Sequence, residues 1–177
     1  EILSGLVGSE MCIRDSSPKA RLLSVDYGKN PKDYQAAPIK ITFRYEIPDY
    51  ALKGEGEMFF RPMVMNNLYN QVRSYMWIDT SVENRKYGFK DACSRLVELD
   101  ETVQLPAGYK LVSAVKDETM QGVGADFEGS LVQKGNKVLL HNRLALKKRV
   151  YEASDWESFR NAVNAHKAYG EYLVIKK

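Results

Sequence analysis

Gly135 and Asn136 stand between Lys134 and Lys137, and on both sides of this group apolar and polar residues alternate. A two-residue Gly-Asn loop suits the mirror-image turns that join adjacent antiparallel strands, because glycine reaches positive φ without steric cost. The register follows directly. Leu131 faces Leu140 and Phe127 faces Leu144 on one side of the ribbon, while Glu128 faces Arg143 and Ser130 faces His141 on the other. A slip of one residue would spoil both faces at once. This hairpin is therefore the firmest local constraint on what the chain can fold into.

Other segments add to a strand-rich pattern. Ile39, Ile41, Phe43, Tyr45 and Ile47 alternate with Lys40, Thr42, Arg44 and Glu46, which predicts a strand with one buried face, ended by Pro48 and Asp49. Arg21–Tyr27 predicts a shorter strand, with a turn-rich link over Gly28–Asp33. Glu57–Val64 predicts another, in which Pro62 points to an edge or a bulge. Residues 65–90 show no steady period and read as a long connection with one short strand, Tyr75 and Trp77 covering the core. In Ala92–Leu105 the residues Cys93, Val97, Leu99, Val103 and Leu105 share one parity, which Arg95 and Glu101 interrupt as a bulge or twist would. Pro106-Ala107-Gly108 reads as a hairpin loop that sets Leu105 opposite Tyr109, Val103 opposite Leu111 and Leu99 opposite Val115. The period then changes. Ser154 and Glu157 fit a capping box, Trp156, Phe159 and Val163 follow at helical spacing, Gly170 offers a left-handed stop, and Tyr172–Ile175 predicts a last strand. The class is mainly β: an antiparallel two-sheet sandwich with one C-terminal helix followed by a short terminal strand.

The 177 residues suit one domain, and 44% hydrophobic with 28% charged residues is ordinary for a globular chain. A net charge of +3 does not single out a nucleic-acid partner, and no apolar run approaches the roughly 18 residues of a membrane span. Two cysteines exclude a disulfide scaffold and any zinc site of four cysteines. The chain begins at Glu1 rather than Met, and its first 16 residues, EILSGLVGSEMCIRDS, show neither period nor a signal-peptide core. The tract Ser4–Ser16 resembles translated sequencing adapter, so residues 1–16 are expected to be non-native and disordered, and residues 17–177 to be a single β-sandwich domain. Without the one base and three acids of that tract the net charge moves from +3 to +5, and Cys93 is the one cysteine left.

The chemical inventory is thin. Cys93, on the apolar parity of its strand, reads as a small buried hydrophobe rather than a nucleophile. His166 lies near the rim of the helix's apolar stripe, and two histidines without paired cysteines or carboxylates give no zinc set. No catalytic residue, cofactor-binding residue or metal ligand is assigned, and no cofactor is expected. Gly54-Glu55-Gly56 and Gly122-Val123-Gly124 read as turns rather than phosphate loops. One feature could bind: His141, Arg143, Lys147 and Arg149 share a parity and would form a basic stripe for an anion or a partner. Neighbouring cations lower a histidine pKa and repel a metal, so the stripe is a poor metal site. A solvated strand face, with lysines protecting an edge, is the plainer reading.

The later part of the chain carries a recognisable order of segments. Asn84-Arg85-Lys86-Tyr87-Gly88-Phe89 comes first, then Glu101-Thr102-Val103-Gln104-Leu105-Pro106-Ala107-Gly108-Tyr109 and the Gly135-Asn136 hairpin. Asp155-Trp156-Glu157-Ser158-Phe159-Arg160 and Glu171-Tyr172-Leu173-Val174-Ile175-Lys176 follow. Over about residues 20–177 this resembles the C-terminal β-sandwich domain, of unknown function, that follows the transglutaminase-like core in a family of large exported bacterial proteins. The resemblance implies that the catalytic Cys, His and Asp belong to a preceding papain-like domain. Cys93, His141 and His166 do not match those motifs and inherit no role. It implies a non-catalytic accessory domain whose partner is the transglutaminase-like core of the same chain, in a periplasmic or cell-surface setting. An independent carbohydrate-binding or adhesion module is the alternative, and would need tyrosines or tryptophans in an exposed row. An enzyme built on Cys93 is a third reading, and needs an accessible thiol beside a histidine. Deleting residues 1–16 should leave the thermal midpoint unchanged; a large drop would show that the tract is a working part of the fold.

Overall fold

In a computed structural model of the chain, residues 19–26, 28, 40, 42–63, 79–112 and 117–177 are described. The chain divides into two compact units, Glu1–Tyr50 and Ala51–Lys177. The tract 1–16, Tyr75, Trp77, Val115, Ile39 and Ile41 lie outside the described residues.

In the first unit β1 (Arg21–Asp26) pairs antiparallel with β2 (Thr42–Glu46), with a bulge between Leu22 and Ser24. Phe43 and Tyr45 are half-buried while Thr42, Arg44 and Glu46 are exposed, which is the alternation expected from the sequence. Arg21 and Glu46 form an ion pair of 2.9 Å across the strands. Asp49, at φ 57°, turns the chain after Pro48.

The second unit is built on a hairpin of β9 (Ala125–Lys134) and β10 (Lys137–Leu146). Its register is the one the sequence demands: Leu131 with Leu140, Phe127 with Leu144, Glu128 with Arg143 and Ser130 with His141. Gly135 has φ 61°, as a mirror-image turn requires. β6 (Arg95–Gln104) adds to the free side of β10, and β8 (Glu118–Gln121) adds to β9, giving the order β6-β10-β9-β8. A second sheet has the order β3-β4-β12-β7, from β3 (Leu52–Lys53), β4 (Glu57–Phe60), β7 (Lys110–Leu111) and β12 (Leu173–Lys176). β5 (Phe89–Lys90) and β11 (Val150–Tyr151) form a short ribbon. Every pairing is antiparallel. The architecture is mainly β, with one helix among the described residues, α1 (Trp156–Ala168), followed by the terminal strand β12.

Several local expectations change. The Pro106–Gly108 turn forms, with Tyr109 N–H donating to the Pro106 carbonyl and Gly108 at φ 83°, but it does not close a hairpin. β6 pairs instead with β10 over ten rungs, and β7 goes to β12, setting Leu111 beside Ile175. Pairing with β10 aligns Val97 with Leu144 and Val103 with Val138, so both apolar parities meet along a full strand length. Arg95 and Glu101 cause no bulge in that ladder. Each has a polar partner instead: Arg95 pairs with Asp91 at 2.5 Å, and the Glu101 carboxylate accepts the Met63 N–H at 2.8 Å. β4 ends at Phe60, before Pro62, and is paired on both sides rather than lying at an edge. The glycine-flanked segments are turns as read. Gly54 N–H donates to the Glu57 carbonyl, and Gly122–Gly124 links β8 to β9.

α1 lies against β9 and β10 and buries Trp156, Phe159, Ala162, Val163, Ala165 and His166. It starts later than Ser154 suggests. A 3-10 turn (Ala153–Asp155) precedes it, and the reciprocal cap joins Glu152 to Asp155, whose carboxylate accepts the Glu152 N–H at 2.9 Å. Its end is right-handed at Tyr169, and Gly170 is not among the glycines with positive φ. Tyr169 explains Gly129, because a Cβ there would come within 2.5 Å of the Tyr169 ring and 2.7 Å of Phe127. Around the start of α1 four rings interlock. Phe89 stacks on Tyr151 at 4.6 Å and meets Trp156 and Phe159 edge-on at 5.4 and 5.0 Å. Replacing Trp156 with Ala should cost about 3–5 kcal/mol in chemical denaturation; a loss under about 1 kcal/mol would show that the helix is not docked through this ring.

Candidate functional site

His141 and Arg143 lie on the outer face of the central sheet, opposite the side that α1 covers, and are half-buried. Lys147 and Arg149 lie beyond the end of β10 at Leu146, so the expected stripe does not run as one strand face. The register of β6 against β10 puts carboxylates beside His141 and Arg143. His141 Nδ1 is 2.8 Å from Asp100 Oδ1, and Arg143 Nε donates to Glu98 at 3.1 Å. Lys147 Nζ pairs with Asp126 at 2.7 Å and donates to the Gly122 carbonyl at 2.8 Å. The Lys147 ammonium, followed by the Gly122 N–H, holds the Asp126 carboxyl below its ordinary range against the cost of burial. Arg149 is exposed, and its carbonyl accepts the Asp91 N–H. Three of the four stripe residues thus have a carboxylate partner on a neighbouring strand. Exposed pairs of this kind contribute about 0–1 kcal/mol each, so their main effect is on surface potential. Beside them a groove of about 350 Å³ runs over Asp100, Thr102, Ser130, Val132, Leu139 and His141.

Cys93 is exposed rather than buried. β6 begins two residues later, because Asp91 organises a turn there. Its carboxylate accepts the Ala92 N–H at 2.7 Å and pairs with Arg95, which takes Cys93 off the strand. Nδ1 of His141 is engaged by Asp100 and Nδ1 of His166 by Asn142. His166 is more deeply placed than the rim of a stripe, at 7% exposure. Among the described residues no group of three or more His, Cys, Asp or Glu stands close enough to hold a metal ion.

A concavity of about 500 Å³ lies where the Gly122–Gly124 turn meets the start of α1, beside Ser154, Asp155, Glu157, Ser158 and Asn161. Sequence reading missed this junction, because its signal is two glycines remote from the helix. A Cβ on Gly122 would collide with Ser158, and one on Gly124 would sit 3.1 Å from the Asp155 carbonyl. Gly124 N–H donates to Ser158 Oγ at 3.2 Å, and Ser158 Oγ donates to the Asp155 carbonyl. Lys148 Nζ grips both oxygens of Asp155 at 2.8 and 2.9 Å and, with the Glu152 N–H, keeps that carboxyl below its ordinary range. The polar groups here clasp one another, which is how a structural joint is made.

A strap formed by residues 79–90 runs along α1. Trp156 Nε1 donates to the Val82 carbonyl at 3.0 Å, Arg160 Nε to the Thr80 carbonyl at 2.9 Å, and Lys167 Nζ to Thr80 Oγ1 at 2.9 Å. The Arg85 guanidinium lies 4.2 Å from the Trp156 ring centre and 4.8 Å from that of Phe89. The segment Asn84–Phe89 thus folds onto the capped helix, bringing together two of the five stretches that carry the family resemblance. Trp156, Tyr151, Tyr169, Phe127 and Phe159 are all fully buried. Tyr87 and Tyr172 are exposed, each beside a cation, Lys86 and Arg61 respectively.

Residues 56–174 match DUF3858, a domain of unknown function with a solved structure. The chain belongs to this family. The match begins one residue before β4 and ends in β12, so it takes in the hairpin, the strap and the helix together. Among solved structures, a crystal structure described as a "putative protease" from Parabacteroides distasonis is similar, with TM-score 0.55 and 15% identity over 70% of this chain. The chain spans 24% of that protein, so the similarity is one of fold over a quarter of a larger molecule. No curated protein matches.

Replacing Arg143 with Gln should leave retention on an immobilised polyanion column unchanged, since Glu98 already takes its charge. A clear loss of retention would make the strand face an anion site.

Proposed function

We propose that this DUF3858 domain is a non-catalytic accessory module of a larger, exported, transglutaminase-like protein, in which it supports or positions the papain-like core. The observation that carries the reading is the way the polar groups on the described surfaces are spent. The Asp126–Lys147, Asp155–Lys148, His141–Asp100 and Arg143–Glu98 pairs and the Ser158 clasp are directed at neighbouring elements of the fold. A catalytic centre would need such groups aimed into open space toward a reacting atom. The family match and the likeness to part of a much longer protein support the modular reading. The segments that carry the resemblance lie on the helix, the strap, the central sheet with the turn after it, and β12 of the second sheet. In this reading the two four-stranded sheets are the layers of a sandwich. Gln133 ties them together, its Oε1 accepting the Leu111 N–H at 2.7 Å. The resemblance also supplies the periplasmic or cell-surface setting.

The test compares the intact parent protein with a version lacking residues 51–177. The proposal expects the remaining core to melt several degrees lower, or to lose activity, while residues 51–177 alone turn over no transglutaminase or peptidase substrate. An unaffected core, or turnover by this domain alone, would contradict it.

A further inference from the structure

Under α1 the core contains a polar contact that neither the sheet nor the helix needs for its own hydrogen bonding. Asn142, in the middle of β10, is fully buried, with Leu99 opposite it on β6 and Gly129 opposite it on β9. Its side-chain oxygen lies 2.7 Å from Nδ1 of His166, which is itself 7% exposed on the sheet-facing side of α1. Asn142 Nδ2 has no partner among the described residues. A buried amide left half-satisfied is destabilising, so an apolar residue at 142 would serve packing better. The polar pair instead selects one alignment of helix on sheet.

We propose that the His166–Asn142 contact is an acid-sensitive latch between α1 and the central sheet, closed when the imidazole is neutral and released when it takes a proton. The surroundings of the ring give it this property. From β9 the inward-facing residues are Phe127, Gly129 and Leu131, from β10 Val138, Leu140 and Leu144, and from β6 Val97 and Leu99 together with two charged groups of the same parity, Arg95, paired with Asp91, and Glu101, which accepts the Met63 N–H. Neither of these two acts on the imidazole. On the helix itself the nearby charge is Lys167, a cation, with its Nζ on Thr80. Asp117 and Glu118, beside β9, bear on Tyr169 rather than on the imidazole. The other histidine, His141, has a carboxylate partner on the opposite face of the sheet. A proton on His166 would therefore gain no counter-charge and would lose water. Burial, with Lys167 adding to it, lowers the His166 pKa from 6.5 to about 4. The sign follows. The unlatched ring binds its proton near pH 6.5 and the latched ring only near pH 4, so the latch is at full strength above pH 6.5. It weakens as pH falls across that window.

The test is chemical denaturation of the full chain at a series of pH values, wild type against His166→Gln, which keeps a donor but cannot titrate. The folded-to-unfolded ratio of the wild type should fall about tenfold more per pH unit than that of the variant between pH 6 and 4.5. A parallel His141→Gln control should leave that difference in place. Identical pH dependence in wild type and His166→Gln overturns the latch. If His166→Gln does not fold at neutral pH, the wild-type imidazole followed by NMR decides. A ring still neutral at pH 5.5 in the docked state supports the proposal; a ring titrating near pH 6.5 with α1 still docked overturns it.

Discussion

Ten rungs of pairing between β9 and β10 hold the rest of the second unit in place. β6 takes its register from the outer side of β10 and β8 takes its own from β9, so both strands inherit the alternation that the Gly135-Asn136 turn sets. Val138, Leu140, Leu144 and Leu146 of β10 and Ala125, Phe127 and Leu131 of β9 then form an apolar floor around the buried Asn142. α1 docks on that floor. Gly129 makes room for Tyr169 and Asn142 meets His166, so the helix position is read from two points of the same hairpin. A one-residue slip would turn the floor toward solvent and leave the helix nothing to bury against.

Much of this was legible in residue order, and the parts that were not share a physical cause. The β9–β10 pairing could be read because strand adjacency there is local: two loop residues force the partners together. The same logic failed at Pro106–Gly108, where the turn forms but each flanking strand finds a longer or better-matched partner elsewhere in the chain. Arg95 and Glu101 looked like faults in a strand because their partners, Asp91 and the Met63 N–H, are set by tertiary structure. Cys93 looked buried because parity was extended past the true start of β6, which the Asp91 turn decides. The helix face was read correctly at Trp156, Phe159 and Val163, but its cap moved to Glu152 and Asp155, because the preceding turn is 3-10.

The candidate site shows the same division. The four residues of the stripe could be seen in the sequence, whereas Glu98, Asp100 and Asp126, which answer three of them, become neighbours only through strand order. The junction at Gly122–Gly124 depends on a helix more than thirty residues away. What distinguishes this DUF3858 domain is the care with which polar groups are used to join elements: Lys148 on Asp155, the strap on α1, and the half-satisfied Asn142 beneath it. Such joints fix geometry, which is what a module that supports a larger protein would need.

The central claim is that the hairpin and the helix form one cooperative body. Native-state hydrogen exchange at single-residue resolution tests it most directly. The account predicts that the amides of β6, β9, β10 and the buried face of α1 exchange last and with a common free energy, that of global unfolding. Exchange of α1 well before the central strands, with no change in their protection, would show that the helix is an appendage and would contradict the account.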